Sequence, residues 1–329
     1  MIDGRTKESK SVVYGSRHRT VQWVIAVLAL LGAMAMARHA PMAARGASRD
    51  DLQTQVHELT AQIEQLRQEQ SMPAFVLNRY RNSIGYVYGV YHVGFANQHP
   101  EIRARISGTG FLVGDYWVAT NRHIVEPWYG DSKAESLIRR GATPVVETLV
   151  IFFPGWSTPI RLSHPSVSKS SDLAVARAED SEVLRRIPVL PLAKTPASAG
   201  QFVDVIGYPM AIAGMIAKSP SGLGGRVAYG PYDINVAREL AARSLIRPFS
   251  TCGHLSDVVG GRLIYDAPTA HGGSGGPVFN SSGEVIGVNS AYIDGFSGGS
   301  IGVSIESLRL LLQEAQVGSK VHPQTTTRF

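Results

Sequence analysis

Three short segments carry residue types that could perform nucleophilic catalysis. His123 ends Val118-Ala-Thr-Asn-Arg-His123, Asp172 lies in Ser171-Asp-Leu-Ala-Val-Ala176, and Ser274 stands at the centre of Gly-Gly-Ser-Gly-Gly-Pro, Gly272–Pro277. A serine hydroxyl is a weak nucleophile at neutral pH and needs an adjacent base. The base works best when a buried carboxylate fixes its tautomer and stabilises the imidazolium that forms. The chain offers base, carboxylate and hydroxyl in that order. Glycines on both sides of Ser274 allow positive φ, so backbone amides can turn toward one point. The N–H groups of Gly272 and Ser274 are then candidates for an oxyanion hole, which stabilises charge that appears only during reaction.

Each segment alone has a plainer explanation. A histidine after a strand is commonly structural, an aspartate before an apolar run is a turn residue, and a glycine-rich serine loop is a flexible turn. Phosphate cradling is less apt, because no Lys-Ser/Thr and helix pattern follows. The ordered occurrence of all three carries the catalytic reading.

Such groups need rigid elements to hold them. From Ala74 to Gln316 short β-rich runs are separated by Gly, Pro, Asn and Asp. The expected strands are Ile84–Val93, Gly110–Val113, Trp117–Ala119, Thr148–Phe153, Leu173–Arg177, Phe202–Ile206, Gly225–Ala228, Arg262–Tyr265, Pro277–Phe279, Val285–Ser290 and Gly302–Ile305. Many short strands with turn signals argue an all-β sandwich or barrel. The strand Trp117–Ala119 would project His123 into a cleft, and Asp172 sits at the entrance of another. Apolar residues at helical spacing predict a last helix at Ile305–Ala315, followed by a loose tail over 317–329.

The 49 residues before Asp50 differ in kind. They hold eight Lys/Arg against two Asp/Glu, whereas the remainder carries 24 of each. The net charge of +6 is therefore confined to one end, and nucleic acid is not favoured as a partner. After a basic segment, 1–20, residues 21–37 (VQWVIAVLALLGAMAMA) run without charge. Their length suits the lower limit of a membrane-spanning helix. The expectation is a single-pass signal anchor at the cell membrane, with secretion after cleavage near Ala35–Ala37 as the alternative. The charge asymmetry favours an inside N-terminus and an extracytoplasmic body, periplasmic if the source is bacterial. Residues 38–73 read as a linker and helical stalk. Leu52, Val56, Leu59, Ile63 and Leu66 alternate spacings of four and three, the seam of a coiled coil, and the helix is expected to stop at Pro73. The stalk could join copies of the chain. The single cysteine, Cys252, reads as inert.

Over 83–314 the chain resembles the trypsin-like serine proteases, most closely the HtrA/Deg branch. Gly108-Thr-Gly-Phe-Leu-Val113 with WVATNRHIVE (117–126) looks like that family's histidine segment, and Ser171–Ala176 like its aspartate segment. FVDVIGYP (202–209) looks like the strand and turn that follow, and DAPTAHGGSGGP (266–277) like its serine loop. The resemblance implies a double β-barrel of two six-stranded units with a C-terminal helix, and a protease domain over 74–316 with the site between the barrels. It implies His123 as general base, Asp172 as its orienter, Ser274 as nucleophile and Gly272 in the oxyanion hole, with no metal and no organic cofactor. By motif position, Ser290, Ala291 and Tyr292 would pair with an extended peptide substrate, and Thr269 and Ile293 would line the primary pocket. Pro268 stands six residues before Ser274 where an acidic residue would select Lys or Arg, so a small or medium apolar residue is the expected preference. Two departures stand out. Gly273 replaces the Asn common before the serine, which suggests a looser oxyanion loop, and the sequence contains no PDZ domain. A protease-shaped scaffold with negligible turnover is the competing reading, and an ester hydrolase a third.

Overall fold

Strand β1 (Ile84–Gly94) is buried on both of its faces, and this explains the architecture. Side chains alternate across a strand. Val87, Tyr91 and Val93 enter one apolar cluster, while Ile84, Tyr86 and Tyr88 enter another. The first cluster fills a barrel, and the second packs that barrel against its neighbour. The computed structural model of the chain describes residues 49–114, 116–179, 182–219, 233–293 and 299–321.

The first barrel closes in the order β1-β2-β3-β6-β5-β4, from β1, β2 (Ile102–Gly114), β3 (Trp117–Thr120), β4 (Thr143–Phe152), β5 (Ile160–Val167) and β6 (Ala174–Ala178). The second closes as β10-β11-β12-β9-β8-β7, from β7 (Phe202–Gly207), β8 (Phe249–Val259), β9 (Arg262–Tyr265), β10 (Pro277–Phe279), β11 (Val285–Tyr292) and β12 (Ser300–Ser304). Closure leaves neither sheet an open edge to cap. Inside the second barrel lie Val203, Leu255, Leu263, Tyr265 and Val278. Tyr86, Phe111, Trp117 and Phe152 of the first barrel share a cluster with Ile206, Phe279, Val285 and Val288 of the second. The expected double barrel with a C-terminal helix is therefore what the chain forms.

Seven helices accompany the barrels among the described residues: α1 (Arg49–Tyr80), α2 (Arg122–Val125), α3 (Ser132–Arg139), α4 (Glu182–Arg186), α5 (Ala211–Ala217), α6 (Ile234–Ala242) and α7 (Ile305–Val321). Ile305, Leu308, Leu311, Leu312 and Ala315 of α7 recur at helical spacing and are buried in the inter-barrel cluster. The helix runs to Val321, so the segment expected to be loose from 317 begins as helix. Residues 322–329 lie outside the described residues.

Helix α1 does not stop at Pro73. Proline inside a helix loses one hydrogen bond and crowds the preceding turn, a cost of about 3 kcal/mol. Met72 and Val76, four residues apart on one face, are buried in the inter-barrel cluster and offset it. Leu52, Val56, Leu59, Ile63 and Leu66 of the expected seam are all exposed. The expected membrane segment, 21–37, lies outside the described residues. Among the described residues no helix is long and apolar enough to cross a membrane.

Two strands had no sequence signal. β5 (IRLSHPSV) contains Pro165, accommodated where the register with β6 shifts between Ser163 and Ser166. β8 (FSTCGHLSDVV) lacks apolar alternation because most of its side chains are not buried, yet it pairs with β7 and β9 along its length. The expected strand Gly225–Ala228 lies outside the described residues.

Candidate active site

His123 sits on α2, one turn of helix entered directly from β3. Asn121, the residue before that helix, donates its Nδ2 to the Asp172 carbonyl at 2.8 Å and so ties the histidine segment to the aspartate segment. The His123 N–H donates to Asp172 Oδ1 at 3.0 Å, and Nδ1 lies 2.7 Å from Oδ2. An ionised carboxylate only accepts, so Nδ1 carries the proton and Nε2 is left as the basic nitrogen. The Ser290 hydroxyl donates to the same Oδ2 at 2.6 Å. Burial pushes the Asp172 carboxyl up, but the hydrogen bond and charge of His123, the Ser290 hydroxyl and the His123 N–H outweigh it. The net result is a pKa below the ordinary carboxylate value.

Ser290 is held in place by an irregularity in β11. The pairing with β12 shifts between Asn289 and Ala291, so Ser290 has no direct partner in the ladder. Bulges of this kind re-aim side chains beside functional sites. Here one turns the Ser290 hydroxyl to Asp172 and leaves its carbonyl to accept the Ser274 hydroxyl at 3.0 Å. Ser274, Ser290, Asp172 and His123 thus form one continuous hydrogen-bonded series. The Ser274 hydroxyl is bonded to Ser290 rather than to His123.

The backbone around Ser274 is fixed carbonyl by carbonyl. The Met210 N–H donates to His271 O at 2.6 Å. Asn289 Nδ2 donates to Gly273 O at 2.9 Å, and the Gly276 N–H also reaches Gly273 O. In a trans peptide the C=O and the following N–H point in opposite directions. The N–H groups of Gly272 and Ser274 are therefore turned away from these partners, and neither donates to any group among the described residues. Unpaired donors on Ser274 and two residues before it are the groups an oxyanion hole would use. Gly272 has φ +90°, and a Cβ there would lie 2.5 Å from Tyr208 O, so only glycine fits.

Thr109, in β2 of the first barrel, secures this loop of the second. Its N–H donates to Ser274 O at 2.8 Å, and its Oγ1 donates to Gly272 O at 2.7 Å and accepts from the Tyr208 N–H at 3.1 Å. Sequence reasoning did not single out Thr109; its one signal is the small-residue run Gly108-Thr-Gly110. Gly273 is not a loose point. Its N–H is bonded to Ala270 O, its carbonyl has the two partners named above, and an added Cβ would lie 2.6 Å from Thr269 Oγ1.

The remaining expected positions divide. Ser290 and Ala291 line a cavity with Asp172, Tyr129 and Ile301. Thr269 accepts from Asn289 Nδ2 at 3.0 Å, inside the loop scaffold. Tyr292 Oη lies 3.0 Å from His271 Nε2. Ile293 is 44% exposed, with its N–H bonded to Gly299 O.

Comparison with known proteins identifies the family of the domain. The family model described as a trypsin-like peptidase domain matches residues 108–288. A probable periplasmic serine endoprotease, DegP-like, from Rhizobium meliloti is 26% identical over 205 residues, covering 62% of this chain and 31% of that protein. Its counterpart from Pseudomonas fluorescens is 26% identical over 223 residues, covering 66% and 37%. The chain spans about a third of the length of these curated relatives. Among solved structures, the serine endoprotease from Yersinia pestis aligns with TM-score 0.47 and 17% identity, covering 74% of this chain and 66% of that one.

Proposed function

Because the chain belongs to the trypsin-like peptidase domain family, we propose that it is a serine endopeptidase acting on protein substrates through His123, Asp172 and Ser274. The observation that carries this reading is the hydrogen-bonded series from Ser274 through Ser290 and Asp172 to His123. In the proposed cycle an extended substrate lies along Ser290–Tyr292 and takes main-chain hydrogen bonds from that edge. The substrate N–H competes for the Ser290 carbonyl and displaces the Ser274 hydroxyl, which swings to His123 Nε2. His123 then takes the hydroxyl proton as Ser274 attacks the scissile carbonyl. Charge on the carbonyl oxygen is met by the N–H groups of Gly272 and Ser274. Asp172 stabilises the imidazolium, which passes its proton to the leaving amine; water repeats the sequence on the acyl-enzyme.

The finer parts of the proposal rest on the sequence. Residues 21–37 anchor the protein in the cell membrane, the exposed seam of α1 joins copies, and the protease domain works outside the cytoplasm on envelope proteins. The relatives' periplasmic names support that location. N-terminal sequencing of protein extracted from membranes separates a retained anchor from a cleaved signal. A preference for small or medium apolar residues over Lys or Arg is part of the same proposal.

The central test is labelling with a serine-directed fluorophosphonate. The wild-type chain should be labelled and Ser274→Ala should not; equal labelling of the two rejects the assignment. Tight peptide binding without product across a peptide library would favour the scaffold reading.

A further inference from the structure

A second concave site lies away from the serine loop. A cavity of about 550 Å³ is framed by four separate elements of the body. Arg81 comes from the short turn after α1, Pro154 from the end of β4, Lys218 from the end of α5, and Arg247 from the approach to β8. Cavities of this size hold small molecules. Its described lining contains three cations and no acidic residue.

Some arginines elsewhere in the chain have counter-charges, and those of this lining do not. Arg103, Arg122, Arg186 and Arg243 each pair with a glutamate. Among the described residues, none of Arg81, Lys218 and Arg247 has a carboxylate partner. Lys218 is held by neutral groups instead. Its Nζ donates to Arg247 O at 2.7 Å and Pro248 O at 3.3 Å and lies 3.5 Å from the centre of the Phe249 ring. Burial, and secondarily the charge of Arg247, pulls its pKa down to about 8. The Arg247 charge is therefore felt at Lys218 with no anion between them. Arg247 Nε is anchored on Ser244 O at 2.9 Å, which orients the guanidinium while its terminal nitrogens make no other hydrogen bond among the described residues. Like charges gathered around one space, without a counter-charge, are relieved when an anion enters.

We propose that this cavity binds a phosphoryl anion carried on a small body, with Arg81 and Arg247 gripping its oxygens and Lys218 supplying a third positive charge. Guanidinium forks match phosphate oxygens, and a doubly charged group suits three cations better than a single carboxylate does. Leu77, Ile246 and Pro154 provide apolar walls for the carrier. The same chemistry arises from a soluble phosphate ester or a lipid headgroup, and the probes separate the two.

The test uses the full chain in detergent and isothermal titration calorimetry. The probes are sn-glycerol 3-phosphate and short-chain phosphatidic acid below its micelle concentration; glycerol and short-chain phosphatidylcholine are controls. At least one anionic probe should bind while the controls do not, and Arg81→Gln should weaken that binding tenfold or more. The Arg81 side chain makes no hydrogen bond or ion pair among the described residues, and an unchanged thermal midpoint would show that the variant folds. Arg247→Gln provides a second, independent loss. The stronger probe identifies the source. Absence of binding by both probes, or binding unaffected by either substitution, overturns the proposal.

Discussion

Replacing Thr109 by valine changes a hydroxyl to a methyl of nearly the same size in a fully buried place. The packing is kept and the polar contacts are lost. Two groups lose their partner: Gly272 O, which accepts from Oγ1 at 2.7 Å, and the Tyr208 N–H, which donates to it at 3.1 Å. A buried group left unsatisfied costs about 1–3 kcal/mol, so Thr109→Val should lose roughly 2–6 kcal/mol of stability. Domains have about 5–15 kcal/mol in hand, so the variant should still fold. The bond from the Thr109 N–H to Ser274 O survives the substitution, which keeps the serine loop near the first barrel. Release of Gly272 should nevertheless misplace the oxyanion donors, and a shift of about 1 Å can lower rate about 10²-fold. Thr109→Ser keeps both bonds and removes one methyl, worth about 1 kcal/mol. Urea unfolding followed by tryptophan fluorescence measures the first effect and fluorophosphonate labelling rate the second. If valine and serine variants matched each other in both, the hydroxyl would not be the clamp described, and the reasoning fails.

Asp172→Asn should reduce the labelling rate by about 10⁴-fold while leaving the fold intact, because the histidine loses the acceptor that sets its tautomer. The Asp172 pKa is lower folded than unfolded, so its stabilising share is complete above about pH 4 and fades as pH falls through the lower folded value; an acid titration of stability should lose that limb in the variant. Asp204 behaves oppositely: burial, against the bonds from Ser250 and Cys252, raises its pKa to about 6, and its Oδ2 has no partner. The wild type should therefore weaken relative to Asp204→Asn as pH rises from about 4 to 6, by at most roughly 3 kcal/mol, with a constant gap above; a gap that does not change with pH would contradict this. Gly273→Asn should lose about 2 kcal/mol or more and label poorly, since its Cβ would press on a Thr269 hydroxyl already fixed by Asn289. Wild-type stability and labelling in that variant would show that the loop yields freely.

The parts of the site visible in the sequence are those where local chemistry restricts residue type. Gly272 is readable because positive φ and close backbone approach admit only glycine. His123 and Asp172 are readable because each borders a short apolar strand. The parts that were hidden depend on distant partners. Thr109 acts through groups about 100 or more residues away, so nothing in its neighbourhood marks it. Ser290 was expected on a substrate edge; its hydroxyl turns to Asp172 because of a bulge that periodicity does not encode. Pro73 misleads for the same reason: a local rule ends the helix, and burial of Met72 and Val76 continues it. β8 escaped notice because hydrogen bonding to its neighbours, rather than an apolar face, makes it a strand. Pattern reading finds elements through burial, and a solvent-facing barrel strand offers little.

The division of the site between barrels has a temporal consequence. His123 and Asp172 belong to the part of the chain made first, while Ser274 follows Asp172 by about a hundred residues. At a synthesis rate of about 5–20 residues per second, roughly 5–20 s separate them. Throughout that interval the growing chain owns a base with nothing to activate. Even after Ser274 is made, its loop lacks the anchors that Thr109 provides until the second barrel settles on the first. The ribosome-bound polypeptide therefore cannot assemble the proposed site until both barrels have been made.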